Sequence, residues 1–158
     1  MRVFALLGFA SVALTSAVLG QAGHAAKAPA APAINWGPAP ANLPPGAKFA
    51  VLQGDPSQTA MFTIRLDLPN GYTFPPHFHP TDEHVTIIQG TFLVGMGDKA
   101  DFTNPIVLPA GGFITAGANQ HHFARAKGRT IVQVHAMGPF ALTWVNPADD
   151  PQHKASAH

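Results

Sequence analysis

The stretch from Gly71 to Gly90, GYTFPPHFHPTDEHVTIIQG, holds three of the chain's nine histidines and its sole glutamate, Glu83. Neutral imidazoles and one carboxylate form a donor set that suits Fe(II), Mn(II), Zn(II), Ni(II) or Cu(II). The chain has no cysteine, which excludes thiolate sites and disulfide frameworks alike. Residues two apart on an extended strand share a face, so His77 and His79 project together while Phe78 points the other way. Glu83 has the same parity, but four more residues of straight strand would carry it ~13 Å past His79. The intervening Pro80, Thr81 and Asp82 remove that obstacle. Proline ends the strand, Thr and Asp suit a turn, and Glu83 can begin a next strand alongside the first. Gly71 and Gly90 bracket the unit where the backbone must bend sharply. The bland alternative is a polar strand edge with solvated histidines.

The elements that position these residues read as an all-β domain. After Gly46 the sequence breaks into short runs of β-branched and aromatic residues separated by Gly, Pro, Asn and Asp. Strands are expected at Lys48–Gln53, Met61–Leu68, Tyr72–His79, His84–Gln89, Thr91–Met96, Gly112–Ala116, His121–Ala126, Thr130–Met137 and Phe140–Val145. No segment here has a helical period. So many short strands make a sandwich or barrel, where closure removes exposed edges and the interior can hold one small ligand.

Upstream, Arg2 is followed by an uncharged run from Val3 to Gly20 and then by small residues, the layout of a secretory signal peptide over 1–22. The run falls just short of the roughly 20 apolar residues of a spanning anchor, the competing reading. Export, periplasmic or secreted, is therefore expected, with no stable membrane insertion after cleavage. Residues 23–45 are rich in Pro and Ala and read as a semi-rigid linker or an arm on the domain surface, with Trp36 as a candidate pin. The barrel is expected over 46–147 and a turn with a flexible tail over 148–158. Cleavage would remove one cation and leave eight basic against eight acidic residues, so nothing suggests nucleic acid as a partner.

A fourth ligand must come from elsewhere. The pair His121-His122 is the other dense histidine site in the folded region, and strand alternation allows at most one of the two to look inward.

The spacing Gly71-x5-His77-x-His79-x3-Glu83-x6-Gly90 resembles the first motif of the cupin superfamily, with five fixed positions kept over twenty residues. The second cupin motif, G-x5-P-x-G-x2-H-x3-N, is degraded here. From Gly111, Gly117 replaces the proline, Asn119 the second glycine and Ala126 the final asparagine, while His122 keeps the histidine. Asn119 tolerates the left-handed conformation a glycine would adopt there. This register selects His122 over His121. The resemblance spans about Lys48 to Val145 and extends to small exported single-cupin proteins whose last strands read like TIVQVHAMGPF and TWVNPADDP. It implies a single cupin jelly-roll β-barrel and one divalent transition metal ion held by His77, His79, Glu83 and His122. It also makes a homodimer an expectation.

Six-coordination would leave two open positions on such an ion, the mark of a catalytic rather than a closed structural site. Gln133 and His135 share a face of a late strand and are candidates to line the cavity near the metal. Arg65 and Tyr72 are candidates at the same mouth. The alternative for each is a hydrogen-bonded core or surface role. The phenylalanines, among them Phe62, Phe74, Phe92, Phe113 and Phe123, read as barrel filling. Two functions fit: a metal-dependent oxidoreductase of the dioxygenase kind acting on a small organic substrate, or a non-catalytic module that binds or senses a metal or small ligand. The shortage of acids and bases beside the ligands argues against isomerase and hydrolase versions.

Overall fold

The computed structural model describes residues 33–155. The expected signal peptide and the first part of the arm lie outside the described residues. Nine antiparallel strands run in chain order as β1 (Gly37–Pro38), β2 (Lys48–Gln53), β3 (Met61–Leu68), β4 (Thr73–Phe78), β5 (Glu83–Met96), β6 (Ile106–Pro109), β7 (Phe113–Ala116), β8 (His122–Met137) and β9 (Thr143–Trp144). The pairing order is β1-β2-β3-β8-β4-β9, and β5 pairs with β6, β7 and β8.

The curl of this sheet comes from its two longest strands. Expected as two strands each, β5 and β8 are single strands bent near Gly90 and Gly128, both at positive φ. Because the partners bend at the same place, pairing resumes beyond each glycine after two register shifts, between Ile87 and Gln89 and between Gln89 and Thr91. A side chain at Gly90 would run into the Arg129 carbonyl, so the crossing requires glycine. The first half of β8 is thus gripped by β4 and the far half of β5, and its second half by β3 and the near half of β5.

Strand alternation then sorts the faces. Phe62, Ile64, Leu66, Val85, Ile87, Val132 and Val134 point inward and form the core. Two phenylalanines depart from the expected filling. Phe113 stands 57% exposed on β7, with its ring stacked on His84. Phe123 is buried on the other face of β8, where Gly95 leaves room for its ring and Phe102 covers it edge-on at 5.0 Å.

The segment after residue 32 is an arm fastened to the barrel. β1 pairs with β2, Ala39 and Leu43 pack against the core, and the buried Tyr72 hydroxyl donates to the Pro44 carbonyl. The pin is Tyr72, while Trp36 is half-buried. At the other end the expected flexible tail holds a 3-10 turn at Pro147–Asp149, capped by Asn146, and a short helix at Pro151–Ala155. The asparagine and the two prolines supply the cap and the preset φ for those turns. Among the described residues no helix is long and apolar enough to cross a membrane.

Candidate metal centre

The site forms where the end of β4 meets the start of β8. His77 pairs with His122 across the two strands, after a register shift that begins at Phe74. The shift falls on Pro75 and Pro76, which lack the N–H groups a regular ladder needs. The Pro75 carbonyl, free of the ladder, accepts from His77 Nδ1 at 2.7 Å. His79 follows just past the strand, and its Nδ1 donates to the Ala141 carbonyl at 2.8 Å. His122 Nδ1 donates to the Gln120 carbonyl at 2.9 Å.

These three bonds fix the tautomers. A carbonyl only accepts, so each Nδ1 carries its proton and each Nε2 keeps a bare lone pair. Ligand atoms of His77, His79 and His122 all lie within 4.8 Å of one another, and all three residues are buried. His79 Nε2 and His122 Nε2 have no hydrogen-bond partner. Both face Glu83 Oε2, at 3.6 and 3.5 Å. With the imidazoles neutral, the buried lone pairs of His79 and His122 confront a carboxylate, an arrangement that is repulsive without a cation between them. A divalent transition ion matches every donor present, so the residues fit the group. The ring contacts add rigidity: His79 stacks on Phe140 at 4.8 Å, and His77 tilts against Trp144 at 5.5 Å.

Charge follows from the same geometry. Burial pushes the His77 imidazole down to about 3, and the His122 and His79 rings push the same way. Burial would lower His122 too, but Glu83 and the Gln120 carbonyl outweigh it and raise it above the ordinary histidine value. Burial would raise Glu83, yet the three imidazoles hold its carboxyl below the usual carboxylate range.

The route by which Glu83 arrives differs from the expected hairpin. β4 and β5 do not pair with each other; each flanks β8 on its own side. The turn from Pro80 to Asp82 crosses from one to the other, and the second motif clamps it. Asn119, at φ 59°, donates its backbone N–H to the His79 carbonyl at 2.7 Å, and Ala118 N–H donates to Asp82 at 2.8 Å. That clamp sets the loop from which β8 delivers His122. Its neighbour His121 points outward, stacked on Phe78 and bonded to Asp98 at 2.6 Å.

Four of the expected pocket residues lie elsewhere. Arg65, Gln133 and His135 occupy the face of β3 and β8 opposite the core, because Val132 and Val134 take the inward positions. There Arg65 Nε donates to Gln133 at 2.8 Å, Gln133 bonds His135 Nε2 at 3.0 Å, and His135 Nδ1 meets Thr63 at 2.9 Å. Tyr72 holds the arm instead. The cavity beside the imidazoles, about 280 Å³, is lined mostly by aliphatic and aromatic side chains. Pro40, Asn42 and Leu43 of the arm contribute to its wall, which sequence reasoning missed. Leu43 between Asn and Pro was the available signal, a lone large apolar residue in a stretch of small ones. The carbonyls that orient the imidazoles have no signal in residue type.

Residues 30–141 match the family described as the ChrR Cupin-like domain. This chain belongs to the cupin superfamily. Solved structures share the cupin fold. One is a proposed acetylacetone dioxygenase from Methylibium petroleiphilum PM1, 23% identical with a TM-score of 0.58 over 75% of this chain and 79% of that one. Another is an RmlC-like cupin from Shewanella frigidimarina NCIMB 400, 15% identical with a TM-score of 0.53 over 67% of this chain and 86% of that one. A third is an oxalate oxidase, 22% identical with a TM-score of 0.52 over 69% of this chain and 60% of that one. A search of curated protein sequences finds no match. In this cupin the three clustered histidines could bind a metal.

Proposed function

We propose that this cupin is an exported, metal-dependent oxidoreductase of the dioxygenase kind, with His77, His79, Glu83 and His122 as the ligands of one divalent transition ion. The observation that carries the reading is the pair of buried, unpartnered Nε2 atoms facing Glu83 in the wall of an apolar cavity. Bound there, the ion would supply Lewis acidity and, if redox-active, a place for dioxygen and substrate to meet. The chain's own groups hold and orient. The Pro75, Ala141 and Gln120 carbonyls fix the three imidazoles, Phe140 and Trp144 brace two of them, and the apolar wall excludes water.

The cavity lining supports the reaction class. Among the described residues, its titratable lining side chains are the four of the metal centre. Hydrolysis and isomerisation call for a positioned acid or base, whereas dioxygen incorporation draws its electrons from the substrate. Two fold neighbours carry dioxygenase and oxidase names, which supports the same direction.

The test is to load the purified protein with Fe(II), Mn(II) or Zn(II) and follow oxygen uptake against catechols, thiols and diketones. Uptake is expected with Fe(II) or Mn(II) and not with Zn(II). No uptake with a fully occupied Fe(II) site would leave a binding module in place of an enzyme.

A further inference from the structure

The cavity holds about 280 Å³, and ~150 Å³ already suffices for a benzene ring. One substituted ring, or an open chain of similar bulk, fills it. Among the described residues no lysine or arginine lines it. A divalent ion balanced by Glu83 would leave a single positive charge, which one anionic donor on the ligand neutralises. A second ionised group would sit among aliphatic and aromatic side chains without a partner, which is strongly unfavourable.

Two neutral polar residues outside the metal centre also line the cavity, Asn42 and Ser57. The Ser57 hydroxyl is already engaged, donating to Asp55 at 2.8 Å and accepting from Gln58 at 3.2 Å. The half-buried Asn42 amide has no hydrogen-bond partner among the described residues. It sits in a turn closed by Leu43 N–H donating to the Pro40 carbonyl at 3.0 Å. On one side of that turn β1 is paired to β2, and on the other Tyr72 holds Pro44. An amide fixed at both flanks and unpaired among the described residues is a hydrogen-bonding group available to a ligand.

We propose that the cavity takes a compact ligand with one anionic metal-binding end and an otherwise uncharged, largely apolar body, and that Asn42 is a specificity-determining residue that hydrogen-bonds a neutral polar group on that body. This rests on the metal reading above. It disfavours ligands with a second carboxylate, sulfonate or phosphate, because among the described residues no Lys or Arg in the lining would neutralise that charge.

Calorimetric titration of the zinc-loaded full chain with 4-methylcatechol, 4-acetylcatechol and 3,4-dihydroxybenzoate tests it, since the three share one chelating end. The acetyl compound should bind about tenfold or more tighter than the carboxylate. Asn42→Leu should weaken 4-acetylcatechol by about tenfold and leave 4-methylcatechol unchanged. Asn42→Ala removes the donor without adding a charge and should give the same loss, so the test survives a misfolded leucine variant. Zinc occupancy is measured on every sample by elemental analysis. Occupancy near zero in the parent overturns the metal reading and this proposal with it. Full occupancy with 3,4-dihydroxybenzoate bound as tightly as 4-acetylcatechol, or with Asn42 variants that weaken both neutral probes alike, overturns this proposal alone.

Discussion

Strand β8 carries one histidine to each side of the sheet, and the two end in opposite chemical situations. On the outer face Arg65 can only donate, so Gln133 must offer it the carbonyl oxygen and turn its NH2 to His135. His135 then accepts at Nε2 and donates from Nδ1 to Thr63, and both ring nitrogens are paired. On the inner face His122 is paired at Nδ1 alone, and its Nε2 confronts a carboxylate. A network closed on itself stabilises the fold. One left open in a buried place marks where a further species binds.

Metal content breaks or sharpens that contrast most directly. His79→Ala combined with Glu83→Ala should abolish metal co-purification and erase the thermal shift that added metal gives the parent, about 2.7 kcal/mol at a hundredfold excess over Kd. His135→Ala should keep the metal while losing about 1–3 kcal/mol of stability, because Gln133 and Thr63 are left without their partner. Stoichiometric metal in the double variant would sink the inner assignment.

At the start of β8, His122→Ala should lower metal affinity by roughly a hundredfold or more, while His121→Ala, which loses outward contacts with Asp98 and Phe78, should change it little. The reverse order, read by competition with a chelator, would place the ligand one residue earlier.

The smallest effect belongs to the outer face. The Arg129 guanidinium, bonded to Asp67 at 2.9 and 2.8 Å, holds that carboxyl below its usual value. A carboxyl whose folded pKa is depressed stabilises the protein above its unfolded value, about 4, and that contribution is lost as pH falls through the folded one. The Tm of Asp67→Asn should therefore fall less steeply than the parent's below about pH 4. Parallel curves would show the pair contributes nothing there.

Much of this was legible in advance, for reasons that are local. The bounds of β2 and β3 follow from runs of β-branched and aromatic residues between turn residues. The left-handed conformation of Asn119 and the bends at Gly71 and Gly90 follow from what those residues tolerate. The shared face of His77 and His79 is the two-residue repeat of a strand. What was misread depended on partners distant in sequence. Gly90 and Gly128 looked like strand ends because a glycine in isolation does not show that its neighbour bends with it. Gln133 and His135 were open to either face, because parity groups residues without saying which group faces the core.

The sequence by itself determined the donor set, its spacing and the strands that carry it, since residue type and a period of two are properties of the chain alone. Only the tertiary structure decided that Glu83 meets the histidines across β8 rather than along a hairpin. It alone also gave one imidazole edge a closed network and the other an open one, and made the proline-rich arm a wall of the cavity. Each of these depends on which strand lies beside which, and that is settled by burying the apolar faces of all the strands at once.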